Sequence, residues 1–266
     1  MKFLKRFFKY AVYIFALIGF SFLVMFLGVK YGITNTKGMR IDGQRKSFLA
    51  VDKRSWTETE EWKILKEAIV KDKDIINKVA KEIDLNSRII ILPLVVEQLR
   101  LYYDQREIFK SVFAPLKILG SQSQFSWGIM GIKRETAEQI EENLKNKESD
   151  FYIGEKYEKL LDFQTTDTGK ERFERIIDEN NHYYGYLYGS LYIKQILKQW
   201  GKAGFDISNR PEIIATLYNI GFANSKPKAS PESGGSEIEI KGEKYNFGTL
   251  AKSFYDSYEL LEVFPR

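Results

Sequence analysis

Hydrophobic residues fall along this chain in two regimes. From Tyr10 to Val29, 20 consecutive residues carry no charge. At about 1.5 Å of rise per residue, a helix of that length matches a hydrocarbon core roughly 30 Å thick. The run predicts one N-terminal transmembrane helix. A cleaved signal peptide would have an apolar region of about 7–15 residues ending in a small-x-small site. This run is longer, and its exit, Phe26-Leu27-Gly28-Val29-Lys30-Tyr31, offers no such site, so it reads as a signal-anchor. Residues 30–54 are polar and without period, and read as a tether.

From residue 55 onward the spacing becomes helical. Ser55-Trp56-Thr57-Glu58 has the spacing of a capping box, and Trp62, Leu65, Ala68 and Ile69 follow on one helical face. Ile75, Ile76, Val79, Ala80 and Ile83 continue as a second helix, or as the same one bent. Arg88 to Val96 is too apolar to face water. It predicts a buried helix that Pro93 either starts or kinks, running on through Glu97 to Leu101, with a strand as the alternative that its β-branched residues leave open. Further helices are expected at 134–146, 169–179, 183–200, 211–220 and about 247–261. Pro211 suits a first helical turn and Gly221 a C-terminal cap. Ser225 to Ser236 is rich in Pro, Ser, Gly and Lys, as loops are. Residues 237–240 and 244–247 alternate around Lys241-Gly242-Glu243, which predicts a small β-hairpin. With no internal repeat, residues 55–266 read as one mainly α domain.

Charge changes the picture in two ways. Lys2, Lys5, Arg6 and Lys9 precede the apolar run with no acid among them, which holds residues 1–9 in the cytoplasm and sends everything after Lys30 outside. The net charge of +5 is the five basic residues of positions 1–30, so the rest of the chain is formally neutral. Nucleic-acid binding leans on positive charge facing phosphates, and a neutral domain argues against it. The chain has no cysteine and a single histidine, His182, which excludes the common zinc sites. A Ser-His-Asp triad would need His182, whose aromatic neighbours Tyr183 and Tyr184 suggest a packed or surface histidine instead.

One carboxylate stands out. Glu97 closes a segment, Asp84 to Val96, in which nine of thirteen residues are apolar. A carboxyl group drawn out of water holds its proton more tightly, the property a proton donor at neutral pH needs. The plain structural alternative is a helix-surface glutamate paired with Arg100 at i+3. Glu107 is the second candidate; it lies closer to the glycine-rich stretch that follows, but Asp104, Arg106 and Lys110 surround it as on a solvated face.

Four stretches resemble lytic transglycosylases and goose-type lysozymes. Ser126-Trp127-Gly128-Ile129-Met130-Gly131-Ile132, leading into Thr136-Ala137, is similar to their Gly-Leu-Met-Gln stretch and Thr-Ala helix start. Leu217-Tyr218-Asn219-Ile220-Gly221 looks like Ala-Tyr-Asn-Ala-Gly, and Gly189-Ser-Leu-Tyr192-Ile193 like the Gly-x-x-Tyr-Leu helix before it. The apolar segment ending at Glu97 is similar to the helix that ends in the catalytic glutamate. Order and spacing agree over residues 84–221. The resemblance implies a lysozyme-like helical domain that cuts peptidoglycan glycan strands between N-acetylmuramic acid and N-acetylglucosamine, without metal or cofactor. It implies Glu97 as the single acid/base. The sugar's own 6-hydroxyl attacks and leaves a 1,6-anhydro end, so no second carboxylate is needed, unlike most glycosidases. Gly128, Ile129 and Met130 are expected against the sugar, with methionine as an apolar wall. Tyr218 and Asn219 are expected on the floor, the tyrosine hydroxyl bonding the glutamate. Among Tyr183, Tyr184, Tyr186, Tyr188 and Tyr192, some could stack on sugar rings while several must be core.

The sequence departs from that pattern at three points. Gln98 stands where serine is usual, Gly131 where glutamine is usual, and the 33-residue interval from Glu97 to Met130 requires an insertion around 101–124. Three other readings follow. One is a scaffold that binds glycan without cutting it. Another is a lysozyme-type hydrolase whose second carboxylate would come from Asp104, Glu107, Asp162 or Asp167. The third is a membrane-tethered partner-binding protein with an exposed aromatic patch at 183–192. The expected location is the bacterial cytoplasmic membrane, single-pass, with the C-terminal domain on the periplasmic side.

Overall fold

A computed structural model describes residues 55–103 and 126–266, together with Phe20. The chain divides into two units, 1–45 and 46–266, and the architecture below is that of the second. Apart from Phe20, the expected anchor at 10–29 and tether at 30–54 lie outside the described residues, as do Asp104, Glu107 and most of the expected insertion. Among the described residues no helix is long and apolar enough to cross a membrane.

The described domain is mainly helical, with eight α-helices and two short β-hairpins. Helix α1 (Glu60–Lys71) starts one turn later than the sequence suggested. Ser55–Glu58 is a 3-10 turn, and the cap is Thr59, whose side chain accepts the amide of Trp62. Asp72 alone separates α1 from α2 (Lys73–Ile83), so the bent pair is two helices. After a left-handed residue, Asp84, the Asn86 side chain accepts from the Arg88 amide and α3 (Ser87–Tyr103) begins.

Helix α3 is the core element. Every residue from Arg88 to Glu97 is buried, and a helix that is apolar all round belongs inside a domain. Helices α1 and α2, the later helices Tyr183–Lys202, Pro211–Ile220 and Phe247–Asp256, and the strand Glu237–Ile240 pack around it. Pro93 neither starts nor ends it but lies within the helix.

A two-residue ladder, β1 (Ser126–Trp127) with β2 (Ile132–Lys133), leads into α4 (Arg134–Lys145). Helix α5 (Thr168–Ile177) is capped by Asp167, whose carboxylate accepts the Lys170 amide. Then come α6 (Tyr183–Lys202) and α7 (Pro211–Ile220), the latter with proline in its first turn and Gly221 after its last. The second hairpin pairs β3 (Glu237–Ile240) with β4 (Glu243–Asn246). Its turn is the two residues Lys241 and Gly242, both at positive φ as a tight hairpin requires, so β4 starts one residue earlier than the alternation suggested. Asn246 and Thr249 form a reciprocal cap at the start of α8 (Phe247–Asp256).

Helix α8 ends five residues before the expected 261, and the cause is Arg88. This guanidinium is fully buried and donates to the carbonyls of Phe254, Tyr255, Ser257, Glu259 and Phe264. It takes carbonyls at the helix end as its own acceptors and fans the chain around itself. Burial pushes its pKa down to about 10, so it remains charged at neutral pH. Trp56, Trp62 and Phe254 pack edge to face or tilted beside it and join the start of the domain to α8.

Several tyrosines are also buried in the core. Tyr186, Tyr188 and Tyr192 on α6 and Tyr218 on α7 are all buried, and in each case burial is the main force pushing the phenol pKa up. A phenol whose folded pKa lies above its unfolded value of about 10 contributes stability that is complete below pH ~10 and is lost above it, as only the unfolded chain gives up the proton. An alkaline titration followed by phenolate absorbance should therefore show two phases. The four buried phenols should ionise only together with loss of near-ultraviolet circular dichroism, in a phase separate from any earlier phenolate signal. Ionisation of all tyrosines in one phase with the fold intact would contradict this burial.

Candidate functional site

Glu97 lies in the last two turns of α3, where the helix passes the 128–131 turn. It is 5 % exposed and faces its own helix neighbour Arg100, also 5 % exposed. The guanidinium grips the carboxylate with both arms: Nε donates to Oε2 at 3.0 Å and Nη2 to Oε1 at 2.6 Å. The i+3 pairing foreseen for an exposed helix face is thus present, but buried. A buried bidentate ion pair binds far more firmly to its geometry than a solvated one.

The 128–131 turn is docked on three elements. The Gly131 amide donates back to the Gly128 carbonyl, closing the turn between β1 and β2. Gln98 on α3 donates to the Ile129 carbonyl at 2.7 Å, and Tyr218 on α7 donates to the Met130 carbonyl at 2.8 Å. Beneath the turn lies α6, where Gly189 has no side chain to oppose Met130. A Cβ there would meet the methionine Cε at 2.4 Å. Four residues earlier on the same helix, Gly185 lies against Ile129.

Gly131 is the most constrained point. Its φ of +64° is in the left-handed region, and an added Cβ would lie 2.7 Å from both Cγ and Oε1 of Glu97. Glycine therefore stands here, where the resembled motif has glutamine, because Glu97 occupies the space a side chain would need.

Three expectations for these residues need correction. The Tyr218 hydroxyl bonds the Met130 carbonyl and not Glu97, because the turn interposes its backbone. Glu97 is still near enough for its charge to add, after burial and Tyr192, to the upward push on the Tyr218 phenol. The Met130 side chain is wholly buried in the slot left by Gly189 and cannot form a sugar-facing wall. The aromatic stretch 183–192 is no exposed patch: Tyr186, Tyr188 and Tyr192 are core, and Tyr183 and Tyr184 are half-buried. Of the remaining candidates, Gly128 is exposed, Ile129 is half-buried, and the Asn219 side-chain oxygen accepts from Ser236, holding the end of the 225–236 loop.

Sequence reasoning gave no positive role to Gln98, Arg100 or Gly131, which the structure puts in direct contact with Glu97 or its turn. The four-residue spacing of Gly185 and Gly189 was the readable sign that something lies close on that helix face.

The other polar clusters lie elsewhere. His182 meets Asp72 at 2.6 Å, and Tyr186 donates to the same carboxylate oxygen, so the lone histidine ties the start of α6 to the α1–α2 corner. Asp162 pairs with Lys145 and Asp167 caps α5. A cavity of about 280 Å³ between α4 and α5 is lined by Glu138, Glu141, Leu161, Phe163 and Arg172 among others, and by none of the expected site residues. Among the described residues no three His, Asp or Glu side chains come together as metal ligands would. No protein-family model, curated protein or solved structure matches the chain.

Proposed function

We propose that residues 55–266 form a lysozyme-like domain of the lytic transglycosylase type. Residues 10–29 anchor it to the bacterial cytoplasmic membrane with the domain outside, and it acts on peptidoglycan glycan strands. In this reading Glu97 donates a proton to the glycosidic oxygen as the C1–O bond breaks. The 6-hydroxyl of the same sugar attacks C1 and returns its proton to the carboxylate, so no water is consumed. What supports the reading is one juxtaposition: a buried glutamate near the end of the core helix, the 128–131 turn and Tyr218, separated by up to about 120 residues in sequence, meet at one place. Gly128 is the exposed part of the turn, Ile129 and Gly131 are half-buried, and a sugar would meet the turn there.

The Arg100 grip on both carboxylate oxygens favours a second reading, a scaffold on the same fold that binds glycan without cutting it. A hydrolase would need a second carboxylate, and Asp162 and Asp167 are engaged with Lys145 and the α5 cap.

Mass spectrometry of sacculi digested with the full chain separates the three. A transglycosylase releases fragments with 1,6-anhydro ends, a hydrolase releases reducing ends heavier by one water, and a scaffold releases neither. Reducing ends without anhydro ends would sink the transglycosylase assignment.

A further inference from the structure

In the cavity between α4 and α5, open space, apolar walls and unbalanced charge come together. Glu138, Glu141, Glu142 and Lys145 are spaced three and four residues apart and so share one face of α4. Leu144, Leu161 and Phe163 supply apolar wall, and Arg172 reaches across from α5. The volume is about 280 Å³, and an apolar cavity of about 150 Å³ already holds benzene. Solvent reaches its mouth, where Glu142 is exposed and the Glu138 and Lys145 side chains are 40 % and 57 % exposed.

The charges of the wall do not cancel, because three carboxylates face two cations. Arg172, only 8 % exposed, gives Nε and Nη2 to the two oxygens of Glu141 at 2.7 and 2.6 Å, and Tyr188 donates to the same carboxylate. Lys145 is turned to Asp162 at 2.7 Å. Glu138 accepts from Arg134 and Arg172 on Oε1 alone, and its Oε2 has no hydrogen-bond partner among the described residues. The Glu142 carboxylate has neither a hydrogen bond nor an ion pair among them. Glu138 and Glu142 stand one helical turn apart, near enough to repel each other and for one donor group to bridge them.

A ligand that complements this wall carries positive charge and donors at one end and apolar surface behind it. A divalent metal suits it poorly. Two carboxylates fall short of the three ligands that no group of described residues brings together, and leucine and phenylalanine offer a hydration shell no acceptors. A primary ammonium has three donors on one atom, enough for two carboxylates a turn apart, and its methylene stem lies well along apolar surface. A four-carbon stem with its ammonium is smaller than benzene, so the cavity admits it. The wall is also held in place beforehand. The Phe163 ring lies 5.3 and 5.2 Å from the guanidinium carbons of Arg172 and Arg175, and Arg175 donates to the Asp162 carbonyl at 3.0 Å. Little chain has to be ordered on binding.

We propose that the α4–α5 cavity binds a primary alkylammonium group, with Glu142 and Glu138 Oε2 accepting its N–H donors and Leu144, Leu161 and Phe163 covering its stem. The inference is independent of the role of Glu97, which does not line this cavity.

A methyl NMR titration of the full chain in detergent micelles, with leucine methyl groups labelled, tests this through Leu144 and Leu161. The probes are Nα-acetyl-lysine methylamide, n-butylammonium, and Nα-acetyl-norleucine methylamide, which keeps the stem without the charge. Both ammonium probes should shift the two leucines with a Kd of about 1 mM. The norleucine probe should bind about tenfold more weakly or worse. Tighter binding of the lysine probe than of n-butylammonium would assign the group to a peptide, and equal binding to a free amine. Glu142→Gln, at an exposed position whose side chain has no partner to lose, should weaken both ammonium probes about three- to tenfold. Norleucine binding as tight as lysine binding, titrations unchanged by Glu142→Gln, or no shift at Leu144 and Leu161 would overturn the proposal. So would magnesium chloride that moves the same leucines at lower concentration than the ammonium probes, since the site would then be a metal's. None of these results touches the assignment of Glu97.

Discussion

Glu97→Gln should lower the turnover of glycan strands by about 10²–10⁴-fold, the usual worth of a positioned general acid. Glutamine keeps the shape of the side chain and can accept one hydrogen bond from Arg100, but it cannot carry the proton. The substitution also breaks a buried ion pair and leaves the guanidinium with a neutral partner. Removing one member of such a pair costs about 3–5 kcal/mol, so a lower melting temperature is expected alongside. Near-ultraviolet circular dichroism at the assay temperature separates the two effects. A folded Glu97→Gln protein as active as wild type on purified sacculi would show that the acid is another residue. Inactive wild type that still binds glycan would support the scaffold reading.

Tyr218→Phe is the informative companion. Its hydroxyl was expected on the carboxylate, where its loss would disturb the acid directly. In the structure it supports the Met130 carbonyl, so the variant loses a neutral hydrogen bond worth about 1 kcal/mol and a small amount of turn rigidity. The rate should fall only a few-fold.

How much of this was legible depended on the range of the interaction concerned. Helices α4 to α7 follow the expected spans to within two residues because each carries its own apolar stripe and punctuation, as with Pro211 and Gly221. The second hairpin was legible for the same reason, and its turn was misjudged by one residue only because Lys241 also adopts positive φ, which a lysine does not advertise. The 128–131 turn was legible as a motif but not as a structure. Its strands are two residues each, too short for any alternation, and its position depends on Gly189 and Tyr218 from distant helices. The Glu97–Arg100 spacing was visible in the sequence, but its burial was not. From Gln98 onward α3 mixes polar and apolar residues, Gln98-Leu99-Arg100-Leu101, a pattern with no helical stripe to tell a buried position from an exposed one.

Arg88 was the least legible residue of all, and it carries the second large prediction. An arginine at the start of an apolar run looks like a solvated helix end, and nothing nearby marks its acceptors, which lie 166 to 176 residues further along the chain. Arg88→Met keeps most of the side-chain length and removes the fan of donors. The carbonyls of Phe254, Tyr255 and Ser257 retain second donors from Ser257 and Arg266, so they lose little. Those of Glu259 and Phe264 lose the donor that Arg88 Nη1 provides. Leaving the buried Phe264 carbonyl and the part-buried Glu259 carbonyl unsatisfied costs up to about 1–3 kcal/mol each, the second toward the low end. The guanidinium also sits 4.6 Å over the Phe254 ring, a contact worth about 1–2 kcal/mol when desolvated. Against this stands the relief of no longer burying a charge, so the net loss should be about 3–5 kcal/mol. For a domain of this size that lowers the melting temperature by roughly 10 °C. Arg88→Lys should do no better, because an ammonium has three donors on one atom and cannot reach five carbonyls spread around a planar fork. The damage should be local before it is global. At temperatures where α3 and α6 still protect their amides, limited proteolysis of Arg88→Met should cut first between Phe254 and Phe264. A melting temperature within about 2 °C of wild type, where a change of 1 kcal/mol already moves it by 2–4 °C, would mean that the C-terminal fan is held by its own chain and that Arg88 merely fills the space inside it.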